Sequence, residues 1–307
     1  MSTDTPFTKE NLNTIDFIER RLLMKARGLY DKLKSDFIKE GIKDVDWAKR
    51  MPNLEKYLFP EFIENGGMGL MCDFTEEIEK VYTTVFLSEN VLSRVLKDDI
   101  SNAMLFSHHP TNWNIKNHNG NYAANEEYIA KLKERNISIY ILHHPLDNFG
   151  KYSTCKTLAD KLKINIEKPA FLYFGVLYGV IGSTDCKTID ELHELYSQTI
   201  GHNTSLYLYG DENIEGKKIA LCPGGGNIME VVAEMLDNNI KTLITGVTIV
   251  NEISKEVHEF ERKNKINLLG GTHYSSEKYA PMEMCKYFND LGLPSEFIDD
   301  EPDLYDL

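Results

Sequence analysis

Five of the nine histidines fall in three short segments, LFSHHPTN, ILHHPLDN and GGTHYSSE, and two of the three segments also carry a carboxylate at ligand-compatible spacing. Imidazole nitrogen and carboxylate oxygen together suit Zn, Mn, Fe or Co, and no thiolate is placed to compete. His108 and His109 would point oppositely on a continuing strand, but a turn at Pro110 swings both toward one cavity, each facing its own metal. Asp147 follows His143 by four residues, past a second proline-driven turn, where it can take one metal while a histidine sits behind it. His273 and Glu277 share one face if a helix starts at Thr272 or Ser275, and the glutamate can then bridge two ions. Either HHP segment alone also reads as a turn or surface feature. On residue chemistry alone the metal reading and the structural one both stay open.

The remaining histidines lack such company: His193 and His258 lie in polar helices and read as solvated, His202 reads as a loop residue, and His118 stands alone. CPGGGN, Cys222 to Asn227, offers free backbone amides to a phosphate or carboxylate. It matches neither GxGxxG nor GxxxxGKS, and its glycines equally serve tight strand-to-helix packing. The five cysteines, Cys72, Cys155, Cys186, Cys222 and Cys285, are scattered and form no CxxC pair, so they read as buried reduced thiols.

Each histidine segment directly follows a predicted strand. In an open α/β sheet, ligands bind beyond the carboxyl ends of strands, so three such ends can converge on one site. The spacing predicts one long amphipathic helix from Thr14 to Glu40, carrying Ile15, Ile18, Leu22, Leu23, Leu29 and Leu33 on one face. Beyond Asp73, strands VYTTVFLS, NAMLFS and ISIYILHH alternate with helices ENVLSRVLKDD, NEEYIAKLKERN and STCKTLADKLK. FLYFGVLYGVIG reads as one strand, followed by helix IDELHELYSQTI and strands SLYLYG and KKIALCP. Alternation then resumes to a last short strand around SEFID. The fold class is α/β: two lobes with mixed sheets facing a shared dinuclear site, plus an N-terminal helical extension. The expected divisions are residues 1–50, 51–165 and 166–307, with the C-terminal segment able to return to the first lobe.

The chain has 307 residues, 42% of them apolar, which is ample for packed cores. No apolar run reaches the roughly 18 to 20 residues needed to cross a bilayer, and no secretory leader is evident, so no membrane association and a cytoplasmic location are expected. A net charge of −14 argues against a nucleic-acid surface.

Taken in order, the three segments resemble the Nif-three-like family, the dinuclear metal proteins also known as GTP cyclohydrolase I type 2. That family has a strand leading to His-His-Pro, as in LFSHHP, then His and Asp four apart, as with His143 and Asp147. It closes with Gly-His-Tyr, here GGTHYSSE with Thr272 inserted and the offset from His273 to Glu277 kept. IALCPGGGNIMEVVAEMLDNNIKTLITGV also looks like the family's Gly-rich turn and following strand, and the likeness runs from about Gly66 to about Asn289. His144 departs from the usual pattern. The resemblance implies a ring-shaped hexamer and two divalent ions (Zn, Fe, Mn or Co) per chain, held by His108, His109, Asp147, His273 and Glu277.

Two functions follow as expectations. One is a metal-dependent hydrolase acting on a nucleotide such as GTP through a metal-bridging hydroxide, with His143 or His144 shuttling the proton as catalytic residues. The other is a non-catalytic metal-binding scaffold or regulator. The N-terminal helix could cap the ring or recruit a partner, though packing on the chain's own core is the commoner role.

Overall fold

A computed structural model describes residues 24–307. The first lobe is built on strands β1 (Gly69–Cys72), β2 (Lys80–Thr84), β3 (Ala103–Ser107) and β4 (Ile137–Ile141). The second is built on β5 (Asn165–Tyr173), β6 (Val176–Ser183), β7 (Ser205–Tyr207), β8 (Lys218–Cys222), β9 (Thr242–Thr245) and β10 (Asn267–Gly270). The final strand, β11 (Ser295–Phe297), returns to the first sheet and pairs in parallel with β2. The sheet orders are β11-β2-β3-β4-β1 and β7-β10-β9-β8-β6-β5. Both sheets are mixed: β2, β3 and β4 run parallel beside antiparallel β1, while β8, β9 and β10 run parallel between antiparallel neighbours.

Near-continuous apolar strands demand cover on both faces. In the first lobe one face carries α2 (Glu89–Lys97) and α3 (Glu126–Glu134), whose Val91, Leu92, Val95, Ile129 and Leu132 share a core with Leu105, Ile137 and Ile139. The opposite face takes α1 (Ala26–Phe37) and α10 (Tyr279–Asp290), packed around Met104, Phe106 and Tyr140. The predicted N-terminal helix therefore starts at Ala26 within the described residues, after a short extended pair, Met24–Lys25, bonded to Glu77–Ile78. Its proposed first turns, with Ile15, Ile18, Leu22 and Leu23, lie outside the described residues. Ala26, Leu29, Tyr30 and Leu33 bury the helix's apolar face in the chain's own core, so that face is not free to recruit a partner. The second sheet is covered by α5 (Thr154–Lys161) and α6 (Ile189–Ile200) on one side and by α7 (Met229–Asp237) and α8 (Lys255–Asn264) on the other.

One predicted strand is two. FLYFGVLYGVIG folds as the tip and return of the β5–β6 hairpin, turning at Phe174 and Gly175 with φ of +49° and +85°. Glycine supplies the turn, and a Cβ on Gly175 would lie 2.4 Å from the Gly41 carbonyl oxygen, so the hairpin tip sits directly on the segment leading out of α1. Apolar composition alone does not reveal that bend, because the residues on both sides of the turn, Phe171 to Phe174 and Val176 to Tyr178, are apolar or aromatic.

Register places the site. Thr84, Ser107 and Ile141 are level at the carboxyl ends of β2, β3 and β4, and Cys222, Thr245 and Gly270 are level at the ends of β8, β9 and β10. Residues just beyond four of those strand ends, His109, His143, Pro223 and His273 among them, line one cleft.

Candidate metal centre

The three histidine segments do converge. Beyond β3, His108 N–H and His109 N–H still bond to the carbonyls of Thr84 and Val85, and Pro110 then ends the run. The two imidazoles nevertheless lie together, 4.4 Å apart and edge to face, with His109 lining the cavity and His108 fully buried beside it. Beyond β4, the one-turn helix α4 (His144–Asp147) directs Asp147 back toward His108. Beyond β10, Thr272 caps α9 (His273–Glu277), its hydroxyl accepting the Ser275 N–H at 3.1 Å, and the expected helical offset sets His273 and Glu277 on one face.

Glu277 is central, with histidine nitrogens close to both of its oxygens. Oε1 lies 3.2 Å from His273 Nε2, whereas Oε2 lies 3.0 Å from His109 Nε2 and 3.6 Å from His108 Nε2. Asp147 Oδ1 is 3.4 Å from His108 Nε2 and accepts a hydrogen bond from the Thr154 hydroxyl at 2.8 Å. Of four groups among the described residues whose ligand atoms lie within 4.8 Å of one another, two share Glu277, His108–Asp147–Glu277 and His109–His273–Glu277, and a third joins His143 to His108 and His109.

His108 tests the fit. Its Nδ1–H donates to the Leu142 carbonyl at 2.9 Å, so in the neutral ring Nε2 is a bare lone pair. That lone pair is fully buried, has no hydrogen-bond partner, and faces two carboxylate oxygens. Only a proton or a cation makes such a convergence stable. With a proton there, burial opposes the charge but Asp147 and Glu277 outweigh it, raising His108 to about 9. Glu277, which burial alone would push up, is held well below the usual carboxylate range by His273, His108 and His109. His109 is driven well below its ordinary value by burial and by neighbouring His108. This donor set of neutral imidazoles and carboxylates fits a divalent ion. His109 and His273 lack the outer hydrogen bond that His108 has: their Nδ1 atoms are buried without a partner, and packing orients the rings. Phe86 stacks on His109 at 4.5 Å, and Trp113 meets His273 edge-on at 4.2 Å.

His143 and His144 both line the cavity: the His143 ring lies 4.6 Å from His109 and 5.3 Å from His108, and His144 stacks on His143 at 4.3 Å and meets Phe174 at 4.9 Å. His144 Nδ1–H donates to the Lys43 carbonyl at 2.8 Å, and burial lowers its basicity. For His143 burial is outweighed by Asp44, 2.8 Å away, and its pKa rises.

Several contributors were not singled out from the sequence. Asp44 is one, set in DVDW where nothing distinguishes it from Asp46. Asp306 is another: its carboxylate accepts the His273 N–H at 2.8 Å and the Trp113 indole N–H at 2.9 Å, fastening α9 to the C-terminal segment. The CPGGGN turn does face the site. Pro223 and Gly225 line the cavity, and Gly224, with φ of +62°, comes so close that a Cβ would lie 2.1 Å from Glu277 Oε1. Its closest approach is thus to a candidate ligand, which makes packing one role of its glycines. Of the histidines set aside, His118 is exposed on Tyr122, His193 bonds to the Thr204 carbonyl, and His202 reaches Ser275 Oγ at 2.8 Å. His258 is not solvated as expected: it is buried, donating from Nε2 to the Thr248 carbonyl and accepting from the Tyr209 hydroxyl. It lies on the face of α8 that packs on the second sheet. The five cysteines are free, with Cys72, Cys155 and Cys222 buried and Cys186 and Cys285 partly so.

The cavity holds about 290 Å³ and is walled by Trp47, Trp113, Tyr173 and Tyr178, with Arg50 the one lysine or arginine among its described lining residues. No helix among the described residues is long and apolar enough to cross a membrane.

Fold and site together define a two-lobed α/β protein with a buried histidine–carboxylate centre at the facing strand ends. The sequence model of the Duf34/NIF3 (NGG1p interacting factor 3) family matches residues 51–303, and the chain belongs to that family. Among its relatives is a GTP cyclohydrolase 1 type 2 homolog from Pyrococcus horikoshii, 27% identical over 229 residues, covering 72% of this chain and 85% of that one. Another of the same name, from Buchnera aphidicola subsp. Schizaphis graminum, is 25% identical and covers 75% and 88%. The fold is shared with the solved structure of protein ybgI, described as of unknown function (TM-score 0.68, 18% identity, 91% and 99% covered). It is shared also with reduced HcgD from Methanocaldococcus jannaschii (TM-score 0.61, 20% identity, 91% and 99% covered).

Proposed function

We propose that this chain binds two divalent metal ions per subunit, one at His108 and Asp147 and one at His109 and His273, with Glu277 shared between them. The observation that carries the reading is that the Glu277 carboxylate belongs to two buried groups of ligand atoms at once, with the unpartnered Nε2 lone pair of His108 facing it in one of them. When bound, a metal pair lowers the pKa of water and polarises the bond under attack. We infer a hydrolytic role for the site, on a small heterocyclic substrate of which a nucleotide such as GTP is the first to test. Around the centre, the chain's own residues would exclude water through Trp47 and Trp113, meet an anionic group with Arg50, and move a proton at His143 Nε2. His144, bonded at Nδ1 to the Lys43 carbonyl and stacked on the His143 ring, would support His143. The setting would be a cytoplasmic, ring-shaped homohexamer, and light scattering tests the six-subunit assembly.

The experiment is incubation of metal-replete protein with GTP, reading formate release. Release that vanishes in the Asp147→Ala and Glu277→Ala variants supports the hydrolase. Absence of turnover across a nucleotide panel, with two metals bound, refutes the hydrolase and leaves a metal-binding scaffold.

A further inference from the structure

We propose that Asp44 is a positioning residue of this site, holding His143 as the Nδ1–H tautomer so that the Nε2 lone pair is presented toward His108 and His109, with which it shares a group of ligand atoms. Asp44 precedes the family-matched residues 51–303, in the stretch between α1 and the first lobe. What the lone pair serves depends on the metal reading above; the tautomer does not.

The Asp44 side chain is completely buried and meets four N–H donors. Oδ1 accepts from Val45 N–H at 2.7 Å, from the Trp47 indole at 2.9 Å and from His143 Nδ1 at 2.8 Å, and Oδ2 accepts from His144 N–H at 3.2 Å. No lysine or arginine takes part, so the carboxylate is held by oriented N–H groups and by imidazole alone. An ionised carboxylate only accepts. The proton between Asp44 and His143 therefore sits on Nδ1, and the opposite nitrogen is left free. This outer carboxylate behind an imidazole is the arrangement that fixes tautomer and ring orientation in metal and catalytic sites.

A rival reading exists, because Asp44, His143 and His144 also bring ligand atoms within 4.8 Å of one another. Hydrogen bonding decides against a third metal there: His144 Nδ1 is spent on the Lys43 carbonyl, and Asp44 Oδ1 already accepts three bonds. Trp47 adds a mechanical link, since its ring lies 5.2 Å from His143 while its indole N–H is tied to the same carboxylate.

Histidine-labelled protein, freed of metal with a chelator and held at a pH that leaves the ring neutral, tests this by long-range ¹H–¹⁵N NMR, with His143→Gln assigning the signals. The expected result is Nδ1–H for His143 in the wild type. Asp44→Asn, which can keep its oxygen toward the three donors, retains that tautomer, whereas Asp44→Ala shifts most of the population to Nε2–H. An Nε2–H tautomer in the wild type overturns the proposal even if no variant folds, and so does an Asp44→Ala spectrum identical to wild type. Because metal is absent throughout, failure of the metal reading leaves this outcome unchanged and separately readable.

Discussion

Gly224→Ala is expected to disable the metal centre while leaving the fold in place. The position is strained for any side chain, with φ of +62°, which costs about 1–3 kcal/mol for a non-glycine residue. It is also crowded. The new Cβ would stand 2.1 Å from Glu277 Oε1 and 3.0 Å from His273 Nε2, where ordinary contact begins near 3.4 Å. The backbone cannot retreat easily, because Ser276 Oγ accepts the Gly224 N–H at 2.9 Å and the Gly224 carbonyl accepts from the N–H groups of Gly246 and Val247. The Glu277 carboxylate must move instead, opening its 3.0 Å and 3.2 Å approaches to His109 and His273. Disturbing outer support alone costs about 10–100-fold in metal affinity, so displacing the shared carboxylate should cost at least ~100-fold. Gly225→Ala is the matched control: its Cβ meets nothing within 4 Å, and the change should stay within about 0.5 kcal/mol. Isothermal titration with zinc or manganese and thermal unfolding of metal-free protein read the two effects. A Gly224→Ala protein that binds metal like wild type would refute both the placement of the turn and the role given to Glu277.

Added metal should raise the unfolding temperature reversibly, with ~2.7 kcal/mol of stabilisation at a free metal concentration one hundred times Kd, and a chelator should abolish the rise. Glu261, buried beneath the CPGGGN turn with Oε2 3.5 Å from His258 Nδ1, is pushed by burial up to about 8 against the opposing effect of Asn227. Because the folded state then holds its proton more tightly than the unfolded chain, stability should fall as pH climbs from about 4.3 to about 8 and level off above. Glu261→Gln should flatten that slope in denaturant titrations; an unchanged slope would contradict the assignment. Asp306→Ala leaves the buried His273 N–H and the Trp113 indole without acceptors, so about 1–3 kcal/mol of stability per lost partner should disappear, visible as a lowered denaturant midpoint and altered tryptophan fluorescence.

The chemistry-bearing residues were legible because strand-end histidines in a parallel α/β arrangement are forced toward one crevice, and a four-residue offset means one helix face for His273 and Glu277. The alternation of strands and helices was legible for the same periodic reasons. What escaped was tertiary. Nothing local separates Asp44 from Asp46 in DVDW, yet only Asp44 turns inward to four donors. Asp306 acquires its partners from residues 33 and 193 positions away. His258 looked solvated because its helix is charged, but its own position faces the core, where Thr248 and Tyr209 satisfy the ring. The hairpin at Phe174 and Gly175 was hidden because the residues flanking the turn, Phe171 to Phe174 and Val176 to Tyr178, are all apolar or aromatic.

The central claim is that Glu277 joins two metal positions, and metal content per chain tests it most directly. Elemental analysis of protein reconstituted with zinc, manganese, iron or cobalt and freed of excess should give two ions per chain, with Glu277→Gln folding normally but losing both or retaining at most one weakly held ion. One ion or fewer in the wild type under conditions that preserve binding, or two in Glu277→Gln, would contradict the account.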